Sequence, residues 1–155
     1  MNQDLKKEKS AKEAFKLIEP KLRKDTIIGI GTGSTTNFFI EELNKARNNI
    51  KGVVCSSNAS EELIDKKYDV FSLNEVHGID FYIDGADEYN DRKELIKGGG
   101  GALTREKVLA YSSDKFICIV DETKHTDLLG RFPLPIEVIE VARSAISRDL
   151  MKMGG

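Results

Sequence analysis

The chain has 155 residues, of which 24 are Lys or Arg and 26 are Asp or Glu, so its formal net charge is −2. This length suits one domain of roughly 100–200 residues with its own hydrophobic core. The near-neutral charge provides no basic surface for nonspecific nucleic-acid binding, and 13 Gly and 3 Pro residues are too few for a low-complexity chain.

Helices and strands alternate in the first part of the sequence. Apolar residues recur at helical spacing over residues 4–22, with Lys and Glu between them, which predicts an amphipathic helix. An apolar run at residues 26–30 predicts a strand that leads through a Gly-rich loop into a helix over residues 36–47. Residues 52–55 predict the next strand, and residues 57–62 have the composition of a cap before a helix.

The same alternation continues to the end of the chain. Apolar runs predict further strands at residues 68–71, 79–83, 115–120 and 134–138, and helical patterns predict helices at residues 102–111 and 142–151. Short strands that alternate with helices are typical of βαβ units. The sequence therefore predicts one α/β domain over residues 1–155, with a Rossmann-like, mostly parallel sheet flanked by helices. Ligands of such sheets bind beyond the carboxyl ends of the strands.

A Gly-rich loop between the first predicted strand and its helix carries binding chemistry. The loop reads Gly31-Thr32-Gly33-Ser34-Thr35. Glycines let backbone N–H groups approach an anion, the start of a helix carries partial positive charge, and hydroxyls add donors. The loop therefore predicts a phosphate site, with a plain glycine turn capped by serine as the alternative.

Particular positions exclude two other kinds of phosphate loop. A Walker A loop ends in Gly-Lys followed by Ser or Thr, and this loop has no lysine. The dinucleotide fingerprint requires Gly or Ala where Thr36 stands, and the next strand ends in Cys55-Ser56-Ser57, without an acid for a ribose. A small phosphorylated ligand thus fits better than a dinucleotide, which argues against a nicotinamide-dependent oxidoreductase.

An acidic cluster follows the strand predicted at residues 79–83. Asp84, Asp87 and Glu88 lie within five residues, and the small residues between them leave room for a ligand. Such a cluster can bind sugar hydroxyls or shift pKa values by mutual repulsion. The spacing of a calcium loop is absent, so we predict no metal. A solvated acidic turn is the alternative.

A run of four glycines, residues 98–101, follows Lys97 and precedes a predicted helix. Four consecutive glycines cost much chain entropy, which a folded domain tolerates where its backbone wraps a ligand. Lys97 supplies a cation at the start of the run, and Glu106 lies one turn into the helix. Lys124, after the strand predicted at residues 115–120, is placed to face a ligand as a second cation. A flexible glycine hinge is the alternative for the run.

The cysteine content favours a reducing compartment. Cys55 and Cys118 form neither a disulfide framework nor a Cys-x-x-Cys pair. The N-terminal residues lack the apolar core of a signal peptide, and no apolar run approaches the ~18 residues of a membrane span. We therefore expect a cytoplasmic protein without membrane or nucleic-acid partners.

Taken together, these segments resemble type A ribose-5-phosphate isomerases. The resemblance runs from the first helix to the last residue and is carried by residues 29–35, 56–60, 82–88, 96–107, 116–121, 124, 132–138 and 142–144. It implies a cofactor-free aldose–ketose isomerase of the non-oxidative pentose phosphate pathway, which interconverts the phosphosugars ribose 5-phosphate and ribulose 5-phosphate. It also implies a homodimer or higher homo-oligomer.

The resemblance assigns roles to individual residues. The glutamate that matches Glu106 is the proton acceptor, and burial is expected to raise its pKa from ~4.3 towards ~6–7 so that it can hold the proton. Lys97 would stabilise the oxyanion, while Asp84 and Asp87 would orient sugar hydroxyls and assist ring opening. The substrate-binding residues implied are Thr32, Gly33, Ser34, Thr35, Asp84, Gly85, Ala86, Asp87, Lys97, Gly98, Gly99, Gly100 and Lys124.

The sequence also departs from the family pattern. Family chains continue past the position of Gly155 with a C-terminal lobe, which the 155 residues lack. A truncated, noncatalytic sugar-phosphate-binding module on the same fold is therefore the alternative function. Binding without turnover would distinguish it from an isomerase.

Overall fold

The structure is a computed structural model that describes residues 2–64, 66 and 68–155. The helices are α1 (Gln3–Ile18), α2 (Ser34–Leu43), α3 (Asn58–Leu63), α4 (Leu103–Tyr111) and α5 (Arg143–Lys152). The strands are β1 (Ile27–Ile30), β2 (Gly52–Cys55), β3 (Ile79–Asp84), β4 (Glu88–Tyr89), β5 (Leu95–Ile96) and β6 (Ser113–Cys118). In this part of the chain, no helix has the length and apolar character needed to cross a membrane.

The main sheet is parallel and has the strand order β2-β1-β3-β6. The chain leaves β1 towards β2 on one side and then crosses to β3 on the other side, so the strand order reverses between β1 and β3. In α/β sheets such a reversal opens a crevice at the carboxyl ends of the strands. The two loops that follow β1 and β3 meet at this crevice. The predicted α/β fold with its parallel sheet is confirmed.

Helices cover both faces of this sheet. On one face, α1 and α2 pack against the strands through buried side chains such as Phe15 and Phe39. On the other face, Leu109 of α4 joins a second core cluster around Tyr82. All four residues of β1 are buried, as expected for a parallel strand between two helical layers.

Two predicted strands differ from the observed structure. The strand predicted at residues 134–138 is wrong: the segment contains no strand, because Pro133 and Pro135 remove backbone donors that a ladder would need. The strand predicted at residues 68–71 is reduced to one isolated bridge between Val70 and Val53.

Other elements differ from the predictions mainly at their ends. The helix predicted over residues 4–22 ends at Ile18, and the chain continues as a 3-10 turn at Glu19–Lys21 that contains Pro20. The helix predicted over residues 36–47 begins at Ser34 and ends at Leu43. The antiparallel pair β4–β5 was not predicted, because two-residue strands show no periodicity.

Candidate active site

A cavity of about 250 Å³ lies at the carboxyl end of the sheet, above β1 and β3. The structure brings most of the predicted site residues to its wall. These are Thr32, Gly33, Ser34, Thr35, Gly85, Ala86, Asp87, Lys97, Gly98, Gly99, Gly100, Glu106 and Lys124. Asp84 is not among the lining residues and lies below the cavity, fully buried.

The Gly-rich loop opens helix α2 towards the cavity. Gly33 is the N-cap residue, with φ of 137°, a conformation that favours glycine. It provides no side-chain acceptor for the first N–H groups of α2. These donors, the positive end of the helix and the hydroxyls of Ser34 and Thr35 together suit an anion such as phosphate.

A cluster of hydroxyl groups fixes this loop from behind. Thr32 Oγ1 lies 2.9 Å from Ser56 Oγ and donates to Ser57 Oγ at 2.8 Å. Ser60 Oγ donates to the carbonyl oxygen of Gly31. Ser57 is also the N-cap residue of α3, within the segment predicted to cap a helix. The supporting roles of Ser56 and Ser60 were not predicted, because they depend on the pairing of β1 with β2.

Asp84, the last residue of β3, accepts four hydrogen bonds from the protein. Its Oδ1 accepts from the backbone N–H groups of Gly85 at 2.8 Å and Thr32 at 3.3 Å. Its Oδ2 accepts from Tyr82 Oη at 2.7 Å and from Lys97 Nζ at 2.9 Å. A Cβ atom on Gly31 would lie 2.1 Å from Asp84 Cγ, so glycine is required there for this close approach.

Lys97 joins Asp84 to Glu106. Its Nζ lies 2.9 Å from Asp84 Oδ2 and 3.2 Å from Glu106 Oε2, and it also donates to the Gly85 carbonyl oxygen. Burial lowers the pKa of Lys97, but the charges of Asp84 and Glu106 outweigh this and the net shift is upward. The ammonium group therefore stays charged inside the site.

Glu106 is 5% exposed and points from the first turn of α4 into the site. Burial raises its pKa above the ordinary value of 4.5, the negative charge of Asp84 raises it further, and the cation of Lys97 only partly opposes this. The direction of this shift is the one predicted from the sequence. Such a carboxyl group can accept a proton and hold it briefly.

The rest of the acidic cluster shapes the glycine run. Asp87 Oδ2 accepts a hydrogen bond from Gly99 N at 2.9 Å, and its carboxylate borders the cavity. Glu88 is buried and accepts from the backbone N–H groups of Gly130 at 2.8 Å and Phe132 at 2.6 Å. A Cβ atom on Gly99 would lie 2.6 Å from the Phe132 ring, so Glu88 holds that ring against the glycine run.

Helix α1 contributes two cavity residues that were not predicted, Gln3 and Lys7. The Lys7 side chain is 15% exposed and pairs with Asp4 at 3.6 Å. Lys7 and Lys124 add two cations to the lining of the cavity. No sequence signal identifies Lys7, because a lysine on an amphipathic helix ordinarily faces solvent.

The two cysteines of the chain are neutral thiols. Cys55 and Cys118 are free, and burial raises their pKa values to about 12 and about 11, so both thiols stay protonated near neutral pH. In the part of the chain that the structure describes, no three or more His, Cys, Asp or Glu side chains are grouped as metal ligands.

Comparisons with known proteins agree on one family. The family described as ribose 5-phosphate isomerase A (phosphoriboisomerase A) matches residues 41–155. Ribose-5-phosphate isomerase A of Mannheimia succiniciproducens is 52% identical over 157 residues, which cover 100% of this chain and 70% of that protein.

Solved structures show the same relationship. The chain is similar to ribose 5 phosphate isomerase A from Neisseria gonorrhoeae, with a TM-score of 0.91 and 50% identity over 99% of this chain and 68% of the other. A D-ribose-5-phosphate isomerase in complex with phospho-erythronic acid gives a TM-score of 0.87 and 41% identity over 97% and 67% of the two chains. Ribose 5-phosphate isomerase A from Methanocaldococcus jannaschii gives a TM-score of 0.88 and 37% identity over 99% of this chain and 68% of the other.

Proposed function

The chain belongs to the ribose 5-phosphate isomerase A family, and we propose that its site interconverts ribose 5-phosphate and ribulose 5-phosphate. The observation that carries this function is the buried Lys97–Glu106 pair at 3.2 Å, on the wall of a cavity that also holds the Gly-rich loop. The 52% identity to an isomerase over the whole chain favours catalysis over the alternative of a noncatalytic phosphosugar-binding module.

The phosphate end of the substrate is placed at the start of α2. Ser34 and Thr35 supply hydroxyl donors there, the helix supplies N–H groups, and Lys7 and Lys124 supply positive charge. Binding energy from a dianion at this end can position the reacting carbons at the other end of the cavity. The bound phospho-erythronic acid of the related structure, a phosphorylated sugar acid, supports a ligand of this class.

The reacting end is placed at Glu106 and Lys97. Glu106 takes the proton from C2 of the open-chain aldose, and the electron pair of that C–H bond forms the C1–C2 double bond of an enediolate. A hydroxyl proton moves from O2 to O1, and Glu106 returns its proton to C1 to give the ketose. Lys97 stabilises the negative charge on oxygen during the transfer. No cofactor is needed, because the two carbons exchange oxidation states within one molecule.

The two aspartates of the cluster take different positions in this proposal. Asp87 borders the cavity and is placed to orient a sugar hydroxyl and assist ring opening. Asp84 lies one layer deeper, where four protein donors use its oxygens, and it holds Lys97 and the Gly-rich loop. This refines the sequence-based expectation that both aspartates contact the sugar.

A homodimer or higher homo-oligomer is part of the proposal. The apolar side chains of Val108, Tyr111, Leu134 and Ile136 line an open cavity of about 570 Å³ on the outer face of α4. Contiguous exposed apolar surface of this kind is typical of association sites. The cytoplasmic location and the single domain over residues 1–155 stay predictions.

The test is a coupled isomerase assay on the chain together with Glu106→Gln. We expect the parent to turn over ribose 5-phosphate and the variant to lose about 10²–10⁴-fold in kcat, the usual contribution of a general base, while calorimetry still detects binding. Glu41→Gln, an exposed change on α2, is the matched control and should retain full activity. Binding without turnover by the parent would support the noncatalytic module, and full activity of Glu106→Gln would exclude Glu106 as the base.

A further inference from the structure

A buried tyrosine lies directly beneath the proposed reacting groups. Tyr82 is 0% exposed, and its ring lies in the core cluster between the sheet and α4. It stands two residues before Asp84 on β3, so both side chains point to the same face of the sheet. Gly29 of β1 makes room for the ring, because a Cβ atom there would lie 2.7 Å from Tyr82 Cδ2.

The ring fills an apolar space that phenylalanine would fill equally well, so the hydroxyl group requires its own explanation. Tyr82 Oη donates to Asp84 Oδ2 at 2.7 Å. Asp84 Oδ2 also accepts a hydrogen bond from Lys97 Nζ at 2.9 Å. Burial and then the charge of Asp84 raise the pKa of Tyr82, so the hydroxyl stays a neutral donor.

Tyr82 and Lys97 therefore donate to the same oxygen of Asp84. Lys97 is also the ion-pair partner of Glu106, the proposed base. Lys97 Nζ lies 2.9 Å from Asp84 and 3.2 Å from Glu106. The hydrogen bond from Tyr82 stabilises part of the negative charge on Asp84 Oδ2, so this oxygen attracts the Lys97 ammonium group less strongly. The Tyr82 hydroxyl thus weakens the attraction of Asp84 for the Lys97 ammonium group, which keeps that group close to Glu106.

We propose that Tyr82 is a positioning residue of the isomerase site, which acts through Asp84 to hold Lys97 within reach of Glu106 and the substrate oxygens. This inference rests on the proposed function only for its kinetic consequence. The placement of Lys97 between the two carboxylates is a property of the folded chain that can be measured without turnover.

The charged and titratable groups around Glu106 set the expected direction. The charges of Asp84, Lys97 and Asp87 act on the pKa of Glu106, and the Tyr82 hydroxyl is linked to it through Asp84. When the hydroxyl is removed, Asp84 draws Lys97 closer and Glu106 loses part of the cation that favours its ionised form. The pKa of Glu106 then rises further, and the oxyanion loses part of its stabilisation.

The experiment compares Tyr82→Phe with Tyr68→Phe. Tyr68 is also buried, and its Oη donates to the Leu43 carbonyl oxygen at 2.9 Å in the other core cluster. Both variants remove a buried hydroxyl that donates to an oxygen of the protein, so their melting temperatures measure the structural cost of each change. We expect kcat of Tyr82→Phe to fall about ten- to a hundredfold with KM little changed, as for a misplaced catalytic group. Tyr68→Phe should keep the parent kcat.

The second readout is the pKa of Glu106, followed by ¹³C NMR of its labelled side-chain carboxyl, with Glu106→Gln to assign the signal. We expect a higher value in Tyr82→Phe than in the parent and an unchanged value in Tyr68→Phe. An unmoved or lowered value in Tyr82→Phe overturns the inference, as does a kcat equal to that of Tyr68→Phe. An inactive parent would instead contradict the proposed function and leave the NMR comparison decisive for Tyr82.

A double variant tests whether Tyr82 acts through Asp84. Asp84→Asn keeps the shape of the side chain and removes its charge. If Tyr82 acts only through this charge, adding Tyr82→Phe to Asp84→Asn changes kcat and the pKa of Glu106 far less than Tyr82→Phe does alone. Fully additive effects would contradict the route through Asp84.

Discussion

At the scale of single residues, Glu106 combines properties that oppose each other. Its carboxyl group is buried close to the negative charge of Asp84, which disfavours ionisation, yet a base must be ionised to accept a proton. Lys97 at 3.2 Å keeps the ionised form accessible. This balance gives a base that can also release its proton, and it makes the ionised residue a cost to the folded state.

That cost gives a prediction on stability. In the unfolded chain Glu106 ionises near 4.5, whereas in the folded chain it ionises at a higher pH. Between these values the folded state binds more protons, so the free energy of unfolding falls as pH rises through this window. We expect Glu106→Gln to melt at a higher temperature than the parent at neutral pH and at the same temperature below about pH 4, where both side chains are neutral.

Differential scanning calorimetry at the two pH values provides the measurement. Glu41→Gln, the exposed control, should match the parent at both. The same shift places the acid limb of kcat/KM above 4.5, because activity is lost as pH falls through the raised pKa of the free enzyme. A lower melting temperature of Glu106→Gln at neutral pH would contradict the raised pKa.

At the scale of elements, the site depends on how loops are tied to the sheet. The crevice between β1 and β3 sets the Gly-rich loop beside Asp84, and Thr32 N donates to Asp84 across it. The glycine run is held by its neighbours, since Gly99 N donates to Asp87 Oδ2 and a Cβ atom on Gly98 would lie 2.8 Å from Leu103. Glu88, at the start of β4, anchors the segment that carries Phe132 onto that run.

This anchor predicts the effect of Glu88→Gln. An amide offers one acceptor oxygen where the carboxylate accepts two N–H groups, so one of the bonds to Gly130 and Phe132 is lost. We expect the free energy of unfolding to fall by about 1–3 kcal/mol. We also expect faster cleavage by trypsin after the exposed Arg131, because that segment loses its attachment.

Denaturant titration and timed proteolysis with mass spectrometry of the fragments measure the two effects. Glu41→Gln again serves as control, since an exposed change on α2 alters neither the loop nor its attachment. Equal cleavage rates after Arg131 in the parent and in Glu88→Gln would show that Glu88 does not hold the segment.

At the scale of the whole molecule, the described chain exposes a large amount of apolar surface on one side. Tyr111 is 90% exposed at the end of α4, and Leu134 and Ile136 lie across the same cavity. The edge strand β6 also exposes Phe116. Surfaces of this kind associate in water because association removes apolar area from contact with water.

We predict that this apolar surface mediates self-association and that one charged side chain on it weakens the association. We expect Tyr111→Lys to raise the dissociation constant of the oligomer about tenfold or more, since exposed tyrosines are frequent anchors of interfaces. A lysine in the last turn of α4 is compatible with the helix and leaves the fold intact. Leu5→Lys, at another exposed apolar residue, is the control. Sedimentation equilibrium measures both, and equal constants for the two variants would place the association elsewhere.

The sequence by itself determined the alternation of helices and strands, the α/β class and most of the residues that line the cavity. Residues such as Ser34, Lys97 and Glu106 were identified because glycine-rich turns, helix starts and charges stand close together along the chain. Local periodicity and turn chemistry suffice for such features, since they depend on neighbours within a few residues.

Only the tertiary structure decided which donor meets which acceptor. It placed Asp84 beneath the cavity rather than on its wall, brought Lys7 to the site from α1 and made Glu88 a loop anchor. It also showed that residues 134–138 form no strand. The placement of Asp84, Lys7 and Glu88 depends on contacts between segments far apart in the chain, and no local pattern of the sequence records such contacts.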